Sequence, residues 1–219
     1  MLTASISIRA VKSRAEKKLA MRRATYHHGD ARNAILGSAR RLLEKTGAAT
    51  LSLRQVAEAA GLSRQAPYNH FQNKEALLAE LVRDGFVRLA AEIRAAADPK
   101  RAAERQLAAA GEAYITFALS EPTLFRLMFS RELVDLGKHP DAGKAADDAL
   151  KALAEIISRI DKSGDRKGLV LASWSIVHGY AVLCIEAGLE GRRALRQRTA
   201  QFAGLLMGGE ATARRRGSR

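Results

Sequence analysis

The sequence predicts an all-α protein, and three observations support this class. Apolar residues recur every three or four positions along most of the 219 residues, and no window alternates as a half-buried strand does. Residues that can cap helices precede the periodic segments. Glycine or proline lies at most of the breaks between them. We therefore expect about nine helices, forming a small N-terminal three-helix domain and a C-terminal helical bundle.

Caps and breaks predict the bounds of the helices. Asp30 is a suitable N-cap for the first helix, and Gly47 should end it. Ser52 and Gln55 form a capping box for a short second helix. Ser63 can cap a third helix running to about residue 71, and Asn73 can cap a long fourth that ends before residue 99. Further helices are expected at about 101–119, 122–136, 142–162, 168–188 and 191–207.

Positive charge is concentrated at the two ends of the chain. Residues 1–74 carry 14 basic and 4 acidic side chains, residues 75–191 carry 15 and 18, and residues 192–219 carry 8 and 1. The net charge of +14 is therefore the balance of +10, −3 and +7. A polyanionic partner is expected at the N-terminal part.

Several classes of site find no support in the composition. Cys184 cannot form an intrachain disulfide, and no Cys and His cluster has zinc spacing, so we expect a cytoplasmic protein without metal or cofactor. Residues 169–185 lack formal charge, but the segment is slightly short for a membrane span and contains polar residues such as Ser175. We expect it to be a buried helix and expect no membrane partner. Cys184 should behave as a small buried hydrophobic residue.

The segment from Leu53 to Lys74 has the spacing of a helix-turn-helix. Ala57 is small enough for two helices to cross closely, and Gly61 permits a left-handed backbone at the turn. Leu62 and Phe71 can fill the core beneath. This arrangement directs the second short helix outward, with its N-terminus first, toward a DNA major groove.

Side chains around that helix have the chemistry of DNA recognition. Arg64 and Gln65 can read base edges, and the methyl group of Ala66 can contact thymine. The polar tips of Tyr68, Asn69 and His70 can reach phosphate oxygens, as can Lys74 at the start of the next helix, while Ser52 and Arg54 can hold the DNA backbone on the other side. The candidate DNA-binding residues are Ser52, Arg54, Ser63, Arg64, Gln65, Ala66, Tyr68, Asn69, His70 and Lys74.

Residues 30–89 resemble the DNA-binding domain of the TetR family. The resemblance is carried by GLSRQAPYNHFQNKEALL, in which Gly-x-Ser is followed by Tyr-x-x-Phe and Lys-x-x-Leu. It implies that Tyr68, His70 and Lys74 contact phosphates and that residues 64–66 read bases. Pro67 departs from the commoner residue and has no backbone N–H, so the recognition helix should begin late or with a 3₁₀ turn.

The C-terminal half resembles the WHG variety of TetR C-terminal domain, through ALSEPTLFRLMFSREL and through Trp174, His178 and Gly179 in SWSIVHGYAVL. The resemblance implies that the last two helices form a four-helix interface with a second copy, and that helices four to seven enclose a pocket. We expect His178 to have a hydrogen-bond partner in the core rather than a metal. The candidate pocket residues are Tyr114, Phe117, Phe125, Met128, Phe129, Trp174 and His178.

Together these patterns predict a dimeric, nucleoid-associated repressor that binds a pseudo-palindromic operator and is released by a small apolar effector. The expected segments are a basic disordered extension at 1–28, a DNA-binding domain at 29–89, a ligand-binding and dimerisation domain at 90–208 and a basic disordered tail at 209–219. An architectural protein that binds DNA without sequence preference is the alternative. An enzyme is disfavoured, because no nucleophile motif or phosphate-binding glycine loop occurs.

Overall fold

The computed structural model describes residues 31–161, 164–189 and 194–216, with side chains up to residue 207. In these ranges the chain forms eight α-helices and one 3₁₀ helix and contains no strand, so the predicted all-α class is confirmed. The elements are α1 (31–50), α2 (Leu53–Ala59), a 3₁₀ helix (Ala66–Asn69), α3 (Lys74–Ala96), α4 (Ala103–Ser120), α5 (Pro122–Met128), α6 (Pro140–Ile160), α7 (Arg166–Ala187) and α8 (Leu195–Arg216).

The chain divides into two compact units, one ending at Leu77 and the other beginning at Leu78. The division falls inside α3, as does the predicted domain boundary after residue 89. The predicted extension at 1–28 and the predicted cap at Asp30 lie outside the described residues.

The first unit is built on a stripe of α1. Ile35, Ala39 and Leu43 are spaced by four residues and fully buried, and Val56 and Ala57 of α2 are buried with them. Gly47 does not end α1 as predicted. It adopts a left-handed φ of 78° within the helical range, which continues to residue 50.

Helix α4 is central to the second unit and packs on α6, α7 and α8. Its buried side chains are spaced three or four residues apart, which places them on the faces turned toward those neighbours. Helix α6 contributes a stripe of small residues followed by isoleucines, and this narrow face permits close packing. The buried residues of these two helices include Leu107, Ala110, Tyr114, Ile115 and Phe117 of α4, and Ala145, Ala149, Ala152 and Ile156 of α6.

Two helix ends differ from their predicted positions. Helix α5 ends at Met128 rather than near 136, because the chain then turns repeatedly, with the Ser130 N–H donating to the Leu127 carbonyl and the Gly137 N–H to the Asp135 carboxylate. Helix α8 continues to Arg216, beyond the predicted helix end near 207. Glu, Ala and Arg, which fill most of residues 210–216, all have high helix propensity.

Helix α7 is not the buried helix that was predicted. Leu171 is 60 % exposed, Leu183 50 % and Val182 36 %. Among the described helices, it alone is long and apolar enough to cross a membrane, and only 17 % of its most apolar 18-residue window is buried in this chain. The buried side of α7 includes Leu169, Ser173, Ala181 and Cys184, as expected for the cysteine.

Candidate nucleic-acid interface and effector cavity

The turn after α2 has the predicted geometry. The Ser52 hydroxyl accepts a hydrogen bond from the backbone N–H of Gln55 (3.3 Å) and donates to its side-chain oxygen (2.8 Å), which confirms the capping pair. Gly61 has a φ of 66°, so it reverses the chain in the left-handed conformation that other residues disfavour. The backbone N–H of Leu62 then donates to the Ala57 carbonyl at 2.9 Å and closes the turn.

The predicted third α-helix is instead a turn followed by a 3₁₀ helix. Its hydrogen bonds join residues three apart, from Ala66 N to Ser63 O (3.0 Å) and from Tyr68 N to Gln65 O (3.1 Å). Pro67 lies between these two donors and has no N–H of its own, which accounts for the absence of regular α-helical hydrogen bonds here. We refer to Ser63–His70 as the recognition segment.

The recognition segment presents polar side chains and buries its apolar ones. Pro67 is buried, and Phe71, immediately after the segment, is 3 % exposed with the Arg32 guanidinium 5.6 Å from its ring centroid. Leu62, predicted to fill the core with Phe71, is only partly buried. Ala66 and His70 are half-buried, and the exposed members of the segment are Ser63, Arg64, Gln65, Tyr68 and Asn69.

The remaining candidate DNA-binding residues lie at the starts of α2 and α3. Asn73 caps α3 as predicted, its side-chain oxygen accepting from the Ala76 N–H at 2.8 Å. The Lys74 ammonium donates to the Ala49 carbonyl at 2.8 Å, which leaves two of its three N–H donors for other acceptors. Ser52 is half-buried, and Arg54 on α2 is exposed.

The second unit contains a cavity of about 380 Å³, a size typical of small-molecule sites, which span roughly 300–1,000 Å³. Of the predicted pocket residues, Tyr114, Met128, Phe129 and Trp174 line it. The rest of the wall is mostly aliphatic and comes from α3, α4, α6, α7, α8 and the irregular chain after α5. Lining residues that the sequence did not single out include Phe86, Leu89, Ile93, Val134, Leu153, Phe202 and Leu206.

Phe117, Phe125 and His178 do not line the cavity, contrary to prediction. The Arg88 guanidinium lies 5.3 Å from the centroid of the Phe117 ring and pairs with Glu121. The Phe125 ring packs edge-on against Tyr114, with centroids 5.7 Å apart. Both phenylalanines are 1 % exposed, so they belong to the packed core.

His178 has the core hydrogen-bond partner that its sequence context predicted. The Tyr114 hydroxyl lies 2.8 Å from Nδ1 of His178 and accepts a bond from the Trp174 indole N–H at 3.3 Å. Because that indole can only donate, the phenol proton is free to be donated to Nδ1, which requires a neutral imidazole. Burial lowers the pKa of His178 and raises that of Tyr114, so both groups favour their neutral forms.

The described residues hold no group of three or more side chains of the types that bind metal ions. An exposed polar segment after a helix and a tight turn, in a unit separate from one with an internal cavity, defines a helix-turn-helix protein with a second helical domain.

Comparisons with known proteins give the family. The family described as "Bacterial regulatory proteins, tetR family" matches residues 35–81, and "Tetracyclin repressor-like, C-terminal domain" matches residues 107–206. No curated protein matches the chain. The chain belongs to the TetR family of transcriptional regulators, which are DNA-binding proteins and not enzymes. The resemblance to the TetR family is thereby confirmed, and the C-terminal half matches a TetR-type C-terminal domain, while its assignment to the WHG variety stays a prediction.

Several solved protein structures share the fold of this chain. A protein of unknown function from Rhodococcus sp. RHA1 is 31 % identical, with a TM-score of 0.69 over 81 % of this chain and 96 % of that one. A regulatory protein of the tetR family from Rhodococcus RHA1 is 21 % identical, with a TM-score of 0.65 over 79 % and 94 %. FadR of Bacillus subtilis, solved with stearoyl-CoA, shares the fold at 15 % identity, with a TM-score of 0.64 over 79 % and 96 %.

Proposed function

We propose that the protein is a homodimeric repressor that binds a pseudo-palindromic operator and leaves it when a small molecule occupies the cavity of the second unit. The observation that carries this proposal is the recognition segment. Its polar side chains are exposed, while buried Pro67 and Phe71 hold its backbone in place. Fixing a reading segment in advance reduces the conformational entropy lost on binding.

Within the proposed interface, base reading and phosphate contact fall to different residues. Arg64 and Gln65 lie in the turn that opens the segment, where their side chains are exposed and can reach base edges, with the Ala66 methyl beside them. The phosphate contacts come from the other exposed or half-exposed polar groups, because such a contact needs only a donor within reach of a phosphate oxygen. We assign them to Ser52, Arg54, Ser63, Tyr68, Asn69, His70 and Lys74.

The exposed face of α7 supports a dimer. Leu171, Ser175, Gly179, Val182 and Leu183 follow one another at helical spacing and are all exposed in the single chain. A Cβ at Gly179 would meet nothing within 4 Å, so the face has room for a second helix to approach closely. An apolar face of this kind is typical of a contact between copies. On α8, Leu205 is 72 % exposed, and we assign it to the same interface.

The cavity supports control by a small molecule. An effector shifts the protein between states only if it binds one of them more tightly, so the proposed ligand must favour a dimer whose two recognition segments no longer match successive grooves. Phe86, Leu89 and Ile93 of α3 line the cavity, and α3 begins in the DNA-binding unit. A ligand that displaces α3 would therefore act on the helix that leads into that unit.

An electrophoretic mobility shift with DNA flanking the gene, over a salt titration, tests the proposal. We expect the protein to prefer that DNA to random duplex at moderate salt and to give a sharp footprint with two half-sites about 34–36 Å apart, or a multiple of this. Equal affinity for random DNA at every salt concentration would contradict an operator-specific repressor and favour an architectural DNA-binding protein on the nucleoid.

A further inference from the structure

Three buried hydroxyl groups belong to the described wall of the cavity, and they differ in their hydrogen bonding. The Tyr114 hydroxyl is paired with His178 and Trp174. The Thr199 hydroxyl, on α8, donates to the Leu195 carbonyl one turn earlier at 2.9 Å. The Ser173 hydroxyl, on α7, has no hydrogen-bond partner, although the residue is only 2 % exposed.

A buried hydroxyl without a partner opposes folding, because it gives up its bonds to water and gains none in return. Such groups are uncommon in native proteins, and a binding role is one explanation for them. Ser173 lines the cavity, so the missing partner can be supplied by whatever enters it.

We infer that Ser173 anchors the cavity ligand, and that this ligand is a neutral, largely apolar molecule with one hydrogen-bonding oxygen, such as a ketone, ester or alcohol. The inference rests on the proposed function of the cavity. The aliphatic and aromatic wall described above accommodates the apolar body. The serine hydroxyl can donate to a carbonyl or accept from an alcohol.

The charges around the cavity favour a neutral ligand. Arg131 and Asp147 are the charged side chains in its described wall, and both are exposed. The described wall therefore offers no buried counter-charge beside Ser173. Burying an ion without a partner costs far more than burying a neutral oxygen that is hydrogen-bonded.

Two probes with the same carbon skeleton test the anchor, namely butyrophenone and n-butylbenzene, which differ by one carbonyl group. Calorimetric titrations would compare the wild-type chain with Ser173→Ala and with Thr199→Val, a matched control that removes a hydroxyl already paired inside its own helix. We expect Ser173→Ala to weaken butyrophenone binding about twofold to tenfold and to leave butylbenzene binding unchanged. Thr199→Val should leave the ratio of the two affinities unchanged.

An equal effect of Ser173→Ala on both probes would overturn the anchor. So would a free Ser173→Ala variant that melts several degrees below wild type, because removing a hydroxyl with no partner should leave the melting temperature unchanged or raise it. A third probe, the anion 4-butylbenzoate, tests the charge of the ligand. If it binds as tightly as butyrophenone, the inference that the ligand is neutral is overturned.

A cavity-filling variant, Ala146→Phe, separates this inference from the proposed function. If both probes bind wild type and Ala146→Phe abolishes their binding, the cavity accepts ligands and the Ser173 comparison decides the anchor alone. If neither probe binds wild type, the effector cavity and the anchor are both rejected.

Discussion

Gly85 of α3 faces Met128 of α5 so closely that a Cβ atom at position 85 would lie 2.7 Å from the Met128 sulfur and 3.3 Å from its Cγ. Met128 is 3 % exposed, and its side chain must move before a Cβ atom can fit at position 85. Replacing glycine by alanine inside a helix normally adds up to about 1 kcal/mol of stability. At this position the methyl group and the methionine must compete for one volume.

We expect Gly85→Ala to destabilise the second unit by about 1 kcal/mol, because overpacking of roughly 1–3 kcal/mol outweighs the gain in helix propensity. In a Met128→Ala background the same substitution should stabilise. Urea unfolding of the four chains measures this reversal of sign.

Gly37→Ala is a matched control for that experiment. A Cβ there would meet only the end of the Arg41 side chain, at the ordinary distance of 3.7 Å. It should stabilise α1 in either background. If Gly85→Ala destabilises both backgrounds equally, the clash with Met128 is not the cause.

The proposed division of roles in the DNA interface predicts different behaviour for two single substitutions. Gln65→Ala should relax the preference at one base pair, because an exposed amide in the opening turn is assigned to a base edge. Lys74→Ala should weaken binding to all sequences alike and reduce the salt slope by about 1. Binding assays on operators with single base changes, at several salt concentrations, measure both effects.

Lys100→Ala removes an exposed lysine of the second unit and serves as the control. It should alter neither the base preference nor the salt slope. The assignment of roles fails if Gln65→Ala and Lys74→Ala lower affinity uniformly and to the same extent.

The exposed face of α7 predicts that Leu183→Arg separates the proposed dimer. In a symmetric interface the substitution buries two unpaired arginines. We expect the dimer dissociation constant to rise at least about 100-fold, equivalent to about 2.7 kcal/mol. Analytical ultracentrifugation measures the change.

Val87→Arg provides the comparison, since Val87 is 47 % exposed on α3, close to the 50 % of Leu183. That variant should sediment as wild type does. If Leu183→Arg dimerises with the same dissociation constant as wild type, the dimer interface does not include this face of α7.

The neutral imidazole of His178 predicts a pH dependence of stability. Its pKa is lowered by burial, so below its ordinary value of 6.5 the unfolded chain takes up a proton that the folded chain does not. Stability should therefore fall as the pH decreases below about 6.5 and be fully present above it.

His178→Gln should reduce the slope of the free energy of unfolding against pH, by an amount that corresponds to less than one bound proton. Urea unfolding between pH 5 and pH 8 measures this slope. Tyr114→Phe keeps the ring but removes the hydroxyl that binds Nδ1. It should make protonation of His178 less costly and flatten the curve in part. Superimposable pH curves for wild type and His178→Gln would exclude this histidine as the cause.

Local chemistry explains why the DNA-binding unit was predicted so closely. The caps at Ser52 and Asn73, the left-handed Gly61 and the burial of Phe71 each depend on residues a few positions apart. The change from an α-helix to a 3₁₀ helix was also foreseeable, because Pro67 lacks the donor that an α-helix needs there.

The cavity was predicted less well, because its wall depends on which helix faces meet. Tyr114 and Phe117 both lie on buried faces of α4, yet only Tyr114 faces the cavity, since Arg88 covers Phe117. Phe202 and Leu206 of α8 complete the wall from more than 80 positions further along the chain. Helical periodicity identifies a buried face but not the neighbour that it meets.

The position of Trp174 also makes the cavity easy to monitor. It is the single tryptophan of the chain and lies in the cavity wall. Selective excitation of indole will therefore report on the surroundings of this one residue, and a change in its emission on adding a compound will reveal binding there without a dye, a label or knowledge of the regulated gene.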